Sequence, residues 1–440
     1  MRISRHYVRV QGRRVHYRRA GAGPAVLLVH QSPRSSAEWL PLMERWAERF
    51  TVIAPDTPGF GQSDPLPGDR PEIDDFANAL IDLLDALGIA RTAAYGFHSG
   101  GIILMAALRR DPARFSAAAI GGYAIWTEAE RAAFGDAYLP PFHPSAYGEH
   151  LTWLWNRILE QSWFFPWFDV RDAARLSVAR DDPVRVDATV RDMLDSGDAY
   201  RAGYGAVLRA PRDVPPPGAA MPPALITAYD GDPLQPHIDR LGALPEGWSA
   251  VKVRTPAEQQ DRTFAFLSAH PAPVPPPAPA LPDEGFSWVE GLQLHWRGAG
   301  EALRVHPPGR SLETQSDALA IDLPGHGLSD AWNGRDWDEI VNVAARALGA
   351  GRVEQAPAPA GDPDRLYPNL TPDRFGSYLT RAWSVVRARA FFSPWYEADA
   401  AHATAFDPAT IAPERLAIAH RELLRATAAR DYHRHLAGRD

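Results

Sequence analysis

Polar side chains that could do chemistry follow three apolar runs of the sequence, "AVLLV", "TAAYGF" and "ALITAY". They are His30, Gln31 and Ser32 after the first run, His98 and Ser99 after the second, and Asp232 shortly after the third. Imidazole, hydroxyl and carboxylate groups are the side chains that most often serve as general bases, nucleophiles and their helpers. These residues are therefore the candidates for a catalytic centre.

The elements that would hold these residues are predicted to be parallel strands. "AVLLVH" and "FTVIAPD" are continuous apolar runs, which is typical of strands buried on both faces of a sheet. Runs with helical spacing, such as "EIDDFANALIDLLDALGI", alternate with them. An amino-terminal β-hairpin is predicted around Gly12 in "YVRVQGRRVHYRR". The fold class is therefore predicted to be α/β with a mostly parallel sheet.

Composition shifts divide the chain into four predicted parts. Residues 1–125 and 211–270 form the α/β core, and the helical, aromatic-rich residues 126–210 form a cap inserted into it. Such an insertion usually lies over the carboxyl edge of the strands, where ligands bind. Residues 271–283 form a stiff, proline-rich linker, and residues 284–440 form a partial repeat of core and cap.

The repeat is carried by three pairs of segments in the same order. "DLPGHGLSD" repeats "DTPGFGQSD", "FSWVEGLQLHWRGAG" repeats "YVRVQGRRVHYRRAG", and "TPDRFGSYLTRAW" repeats "HPSAYGEHLTWLW". This agreement indicates an internal duplication. The second copy has far fewer residues between Arg352 and Pro372 than the first has between Arg91 and Pro144. We therefore expect it to lack the strand before His98 and the helix after it.

Composition bounds the classes of function. The chain has 440 residues, a formal net charge of −8, 45% hydrophobic residues and no cysteine. Disulfides, thiol catalysis and thiolate metal sites are excluded, and the charge gives no reason to expect nucleic acid or an anionic membrane as a partner. The sequence contains no apolar run of about 20 residues, the length needed to span a bilayer. The basic amino terminus lacks the apolar centre of a signal peptide. A cytoplasmic location is the prediction.

The motifs together resemble the α/β-hydrolase superfamily, through "HQSP", "DTPGFGQSD", "GFHSGG", the predicted cap and "YDGDPL". The resemblance covers residues 5 to 270 well. In this superfamily the nucleophile lies at a sharp turn between two small residues, in the pattern Gly-x-nucleophile-x-Gly. Gly96 and Gly100 match those small residues, and His98 lies midway between them. The resemblance therefore implies His98, and not Ser99, at the apex of the turn.

The resemblance also assigns the neighbours of the apex. The backbone N–H of Ser99 and that of Gln31 or Ser32 would form an oxyanion hole. Asp232 would be the acid of the catalytic triad, with Asp230 as a nearby alternative. The histidine of the triad should follow "AVKV", but that loop reads "RTPAEQQDR". A standard Ser-His-Asp mechanism is therefore not supported.

Several alternatives stay open. Ser99 is the nucleophile if the turn is irregular, with Asp232 and His98 or His30 as helpers. His30 either binds substrate, orients His98 or fixes the oxyanion loop by hydrogen bonds. Asp232 either acts in catalysis or caps the next helix. A metal site of His30, His98 and Asp232 is a further alternative.

The sequence favours a cofactor-free α/β-hydrolase-fold enzyme acting on a small apolar ester, C–C or related substrate, with His98 as the central reactive group. The alternative is a catalytically degenerate pseudo-hydrolase that serves as a small-molecule binder or scaffold. A small-molecule substrate and intramolecular packing of the two repeat units are the expected interactions. Homo-oligomerisation is left open.

Overall fold

The structure, a computed structural model, describes residues 2–134, 137–177, 182–314 and 318–438. Its strands are β1 (Ser4–Val10), β2 (Arg13–Ala20), β3 (Ala25–Val29), β4 (Thr51–Pro55), β5 (Thr92–Phe97), β6 (Phe115–Gly121), β7 (Ala224–Tyr229), β8 (Trp248–Val253), β9 (Glu284–Val289), β10 (Leu292–Arg297), β11 (Ala299–Val305), β12 (Ala318–Ile321) and β13 (Arg352–Gln355). Its α-helices are α1 (Leu40–Trp46), α2 (Ile73–Ala86), α3 (Ser99–Arg110), α4 (Glu128–Phe134), α5 (Glu149–Gln161), α6 (Pro183–Ser196), α7 (Tyr200–Arg209), α8 (Pro256–Ala269), α9 (Trp337–Ala347), α10 (Pro363–Leu366), α11 (Ser377–Ala388), α12 (Pro413–Arg425) and α13 (Ala429–Ala437).

The chain divides into two compact units. The first comprises Met1–Phe142, Arg157–Asp181 and Ala188–Ala280, and the second comprises His143–Asn156, Asp182–Asp187 and Leu281–Asp440. The predicted cap, 126–210, therefore contributes to both units. The predicted linker, 271–283, is divided between them, and its first part contacts the first unit, where Ala25 N donates to Pro273 O at 3.0 Å.

The first unit contains an eight-stranded sheet in the order β1-β2-β4-β3-β5-β6-β7-β8. β2 pairs antiparallel with β1 and β4, and the strands from β4 to β8 pair in parallel. The predicted hairpin turns at Gln11 and Gly12, which both have positive φ, the backbone that tight two-residue hairpins need. The predicted α/β class with a mostly parallel sheet is confirmed.

Both faces of this sheet are buried, which explains the continuous apolar runs. In β3 the side chains of Ala25, Leu27 and Val29 belong to one core cluster, whereas Val26 and Leu28 belong to another on the opposite face. Helices α2 and α3 pack on the first face and α1 on the second. Between β6 and β7 the described residues form the helices α4 to α7. No helix among the described residues is long and apolar enough to cross a membrane.

The second unit contains a five-stranded sheet in the order β13-β11-β12-β10-β9. This is the order of β5-β3-β4-β2-β1, and it supports the proposed duplication. β13 pairs in parallel with β11, as β5 does with β3. The expectation that the second copy lacks the strand before the turn is therefore wrong, because a four-residue strand stands in its place. No helix equivalent to α3 follows it directly in the described residues, and the chain continues into the short α10.

Within the second unit, the start of α5 and α11 make reciprocal contacts. The indole N–H of Trp155 donates to Arg374 O at 3.1 Å, and that of Trp383 donates to Ala146 O at 3.4 Å. Each indole also lies over the glycine before the other helix: a Cβ on Gly376 would lie 2.4 Å from Trp155, and one on Gly148 would lie 2.9 Å from Trp383. These residues occupy equivalent positions in the two sequence repeats, so the contact has approximate two-fold symmetry.

Candidate active site

His98 is the single residue between the end of β5 and the start of α3, and its φ of +48° is unusual for a residue with a side chain. Such a conformation costs about 1–3 kcal/mol and persists only where the surroundings impose it. Gly96 and Gly100 allow the tight turn. A Cβ on Gly96 would lie 2.5 Å from Gly100 O, and one on Gly100 would lie 2.2 Å from Val29 O. Neither position has room for a side chain.

The imidazole of His98 bonds to Asp232, with Nε2 3.1 Å from Oδ2. Asp232 follows β7, so the bond passes over the end of β6, which lies between β5 and β7 in the sheet. That crossing is open because glycines occupy the last position of β6 and the position after it. Gly122 has φ of +63°, and a Cβ there would lie 2.4 Å from His98 Cδ2 and 3.0 Å from Asp232 Oδ2.

The carboxylate of Asp232 is fully buried and holds two partners. Its Oδ2 meets His98, and its Oδ1 accepts the N–H of Leu234 at 2.8 Å. Burial would raise the pKa of Asp232, but the charge and hydrogen bond of His98 and the N–H of Leu234 outweigh burial and lower it. Asp232 therefore both orients His98 and caps the turn that follows β7.

The pairing fixes the tautomer of His98, because an ionised carboxylate only accepts hydrogen bonds. In the neutral ring Nε2 therefore carries the proton, and Nδ1 keeps its lone pair. The ring stacks on Phe97 with centroids 4.0 Å apart and keeps 22% of its side-chain surface exposed. No hydrogen-bond partner of Nδ1 is found among the described residues. This nitrogen is therefore available as a base.

Ser99 is buried and its hydroxyl is occupied. Its Oγ accepts the N–H of Ser32 at 2.5 Å and donates to Ser32 Oγ at 3.2 Å. The N–H groups of Gly101 and Ile102 donate to His98 O. The first N–H groups of a helix have no acceptor within the helix, and that of Ser99 has no acceptor among the described residues. Ser99 therefore offers one unpaired backbone donor beside His98.

The two other predicted oxyanion donors are engaged. The N–H of Ser32 donates to Ser99, as above, and that of Gln31 donates to Glu38 Oε2 at 3.1 Å. The Gln31 side chain also donates to Glu38 Oε1, at 2.5 Å. A substrate oxyanion would have to displace Glu38 or the Ser99 hydroxyl to reach either donor.

His30 is buried and uses both of its ring nitrogens. Nδ1 donates to Gln31 O at 2.9 Å, and Nε2 accepts the N–H of Thr57 at 2.9 Å. The equivalent His306 bonds in the same way, to Pro307 O and to the N–H of Leu323. These bonds favour the loop-fixing interpretation of His30.

The proposed metal site gains no support from these contacts. His30 has no nitrogen left to act as a ligand, and the described residues contain no group of three or more histidines and carboxylates placed to hold a metal ion.

Two residues of the site were missed from the sequence. Gly122 had a visible signal, because "IGG" places two glycines directly after an apolar strand, and glycine at a strand end often marks a close approach. Glu38 had none, because a glutamate in a helical segment is ordinarily a solvated surface residue.

Sequence comparison matches the first unit to known proteins. A family profile described as "alpha/beta hydrolase fold" matches residues 24–136. An uncharacterised protein of Mycobacterium bovis is 43% identical over 96 residues, which is 22% of this chain and 28% of that protein. Haloalkane dehalogenase 2 of Mycobacterium tuberculosis is 33% identical over 113 residues, covering 26% of this chain and 40% of the relative.

A third relative, soluble epoxide hydrolase of a Corynebacterium species, is 36% identical over 102 residues, which is 23% of this chain and 35% of the length of that hydrolase. The chain thus spans less than half the length of each of these relatives. The matched region contains β3, β4, β5 and the turn at His98. The sheet order, the turn and the family match agree that the first unit has the α/β-hydrolase fold.

Proposed function

We propose that this protein is a hydrolase in which His98, oriented by Asp232, acts as a general base on a small apolar ester, C–C or related substrate. The observation that carries the proposal is the hydrogen bond between His98 Nε2 and Asp232 Oδ2 at 3.1 Å, which leaves Nδ1 unpaired. A histidine held by a carboxylate is the usual arrangement of a catalytic base. The names of two relatives, a haloalkane dehalogenase and an epoxide hydrolase, are consistent with hydrolysis.

In the proposed reaction with an ester, water attacks the carbonyl carbon while Nδ1 of His98 takes a proton from the water. Asp232 stabilises the imidazolium that forms. The negative charge on the carbonyl oxygen is met by the N–H of Ser99. Collapse of the intermediate breaks the bond to the alcohol oxygen, which takes the proton from Nδ1, so that acid and alcohol leave and His98 is restored.

The test is a panel of ester and C–C hydrolase substrates assayed with wild type, His98→Ala, Asp232→Asn and Ser99→Ala. Loss of the base should lower kcat by roughly 10²–10⁴ in His98→Ala. Asp232→Asn should also lower it, whereas Ser99→Ala should keep most of the activity. His270→Ala is the matched control, because that imidazole bonds to Phe266 O after the last helix of the first unit. Activity lost in Ser99→Ala and kept in His98→Ala would overturn the proposal.

A second candidate is a small-molecule binder without turnover, favoured by the engagement of the Gln31 and Ser32 N–H groups. One unpaired donor stabilises an oxyanion less than two. In this case substrates of the panel would bind wild type and His98→Ala alike, by calorimetry, and neither protein would release product.

A further inference from the structure

Arg157, near the end of α5, is a buried cation that has no anionic partner among the described residues. Arg157 is only 1% exposed. Nη1 donates to the neutral Gln161 Oε1 at 2.9 Å, while Nε and Nη2 are buried and have no hydrogen-bond partner. The contacts of this guanidinium with the described residues include no carboxylate within ion-pair distance. Its hydrogen bond and its aromatic contacts lie within the first unit.

The surroundings of Arg157 are aromatic and uncharged. The guanidinium lies over the rings of Trp167 and Tyr200, at 5.2 and 5.7 Å from their centroids. These rings offset part of the desolvation of the cation. A buried charge is nevertheless unfavourable unless it is paired and its hydrogen bonds are made. A bound carboxylate would supply both the missing charge partner and the missing hydrogen-bond acceptors.

Aromatic side chains connect this region with the end of β6. Tyr138 packs against Phe134 at 5.1 Å, and Phe134 packs against Trp126 at 4.8 Å. Trp126 follows β6 and its two glycines, and it packs against His237 at 5.1 Å. His237 lies close enough to Asp232 to act on its charge. The rings of Trp126, Phe134 and Tyr138 therefore form a continuous, largely buried aromatic cluster, and Tyr138 lies close enough to Arg157 for the charge of the arginine to act on it.

We propose that Arg157 binds the carboxylate of the substrate, and that the apolar part of that substrate lies along the Trp126, Phe134 and Tyr138 rings. Nε and Nη2 form a pair of parallel donors, which matches the two oxygens of a carboxylate. The inference rests on the proposed function, because it names the substrate class of the same site. That class is a small acid with an aromatic or aliphatic body and a hydrolysable bond.

Binding of two isosteric probes tests this inference without turnover. Phenylacetate carries the carboxylate, and phenylacetamide is its neutral counterpart. In a low-chloride buffer, calorimetry should give at least tenfold tighter binding of phenylacetate to wild type. Arg157→Met should bind both probes equally. Arg171→Met is the matched control, because Arg171 is 82% exposed and already paired with Asp169, and it should bind like wild type.

Stability supplies a second readout. Without a probe, Arg157→Met should be at least as stable as wild type in urea, because an uncompensated buried cation is replaced by an apolar chain. If that variant does not fold, Arg157→Lys keeps the charge without the paired donors and should bind phenylacetate at least tenfold more weakly. Equal affinity of the two probes for wild type, or unchanged binding in a folded Arg157 variant, overturns the inference.

The two proposals fail separately. His98→Ala should bind phenylacetate like wild type, since the variant keeps Arg157 and the Trp126, Phe134 and Tyr138 rings, and the probe has no bond for His98 to hydrolyse. If phenylacetate binds selectively and no ester is hydrolysed, only the proposed function is contradicted. Hydrolysis of neutral esters that depends on His98, with no preference for phenylacetate, sinks only the role of Arg157.

Discussion

His98 and Asp232 reach each other across the end of a strand that lies between their own. β6 separates β5 from β7, and the 3.1 Å hydrogen bond forms above the glycine that follows it. The pair therefore depends on a third position, Gly122, that takes no part in the chemistry.

Replacing Gly122 with alanine should break this pair. The new Cβ would lie 2.4 Å from His98, and the residue would also have to keep a φ of +63°. The backbone conformation alone costs roughly 1–2 kcal/mol for alanine. We expect the imidazole signals of His98 in NMR spectra to shift to those of Asp232→Asn, and hydrolysis, where present, to fall with them.

The control for this variant is Gly197→Ala, at a glycine with φ of +53° and nothing within 4 Å of a new Cβ. It should be destabilised to a similar extent by the backbone and leave His98 unchanged. If both variants leave the imidazole signals of His98 unchanged, the His98–Asp232 bond does not depend on the absence of a side chain at position 122.

Glu284 should set the charge of a buried histidine in the second unit. His295 donates to Asp322 at 2.9 Å and to Glu284 at 3.2 Å. Burial opposes its protonation, but the two carboxylates outweigh burial and raise the pKa of His295. At the equivalent His16, burial outweighs the attraction of Asp56, and the pKa is lowered.

We expect Glu284→Gln to lower the pKa of His295 in an NMR titration, and Glu290→Gln, at an exposed ion pair with Arg335, to leave it unchanged. Since the folded pKa of His295 is raised, its contribution to stability is complete below about pH 6.5 and is lost as pH rises through the folded value. If the stability of Glu284→Gln depends on pH as strongly as that of wild type, the proposed role of Glu284 is contradicted.

His237 should make the first unit sensitive to acid. Burial and the charge of Arg240 lower the pKa of His237 to about 4, and its Nδ1 accepts the N–H of Ile125 at 2.8 Å. The unfolded chain binds this proton near pH 6.5. Its contribution is therefore complete above pH 6.5 and declines as pH falls toward 4.

Urea unfolding between pH 4.5 and 7.5 measures this effect. The free energy of unfolding of wild type should decline toward the acid end, and that of His237→Asn should decline less. The pKa values of His6 and His150 are also lowered to about 4. Because wild type and His237→Asn both keep these two histidines, their contribution to the pH dependence of stability is the same in both proteins. Parallel curves would count against His237.

The reciprocal tryptophans should stabilise the second unit jointly. Trp155 and Trp383 are each 1% exposed, and replacing a buried tryptophan with alanine costs about 3–5 kcal/mol. We expect each single variant to lower the urea midpoint strongly. The double variant should lower it by less than the sum, because the two indoles share one contact region.

Trp288→Ala, at a residue 42% exposed, is the control and should change stability by only about 0.5 kcal/mol. Strictly additive effects of Trp155→Ala and Trp383→Ala would show that the two indoles act independently.

The sequence was sufficient for the sheet and for much of the site. Continuous apolar runs identified the buried strands. The resemblance to the α/β-hydrolase superfamily, applied to the spacing of Gly96 and Gly100, placed His98 at the turn, and the same resemblance placed Asp232 after its strand. The sequence could not show that the N–H groups of Gln31 and Ser32 are already hydrogen-bonded, because this depends on the positions of the Glu38 and Ser99 side chains in the folded protein. The short β13 was missed because only four residues remain of that strand, too few to give a recognisable pattern.

The unpartnered guanidinium of Arg157 was equally hidden. A single arginine in a helix with helical apolar spacing gives no sign of burial, and its aromatic neighbours come from segments far apart in the chain. Only tertiary packing brings Trp167 and Tyr200 to its two faces.

The indole-on-glycine contact of Trp155 and Trp383 is encoded twice within one polypeptide. Had it formed between two identical chains, it would weaken on dilution and every substitution would appear on both sides. Here the contact is independent of protein concentration, and each side can change alone. His150 and Tyr378, which pack against opposite indoles at equivalent positions, already differ. A symmetric contact inside a single chain is thus free to become asymmetric, one residue at a time.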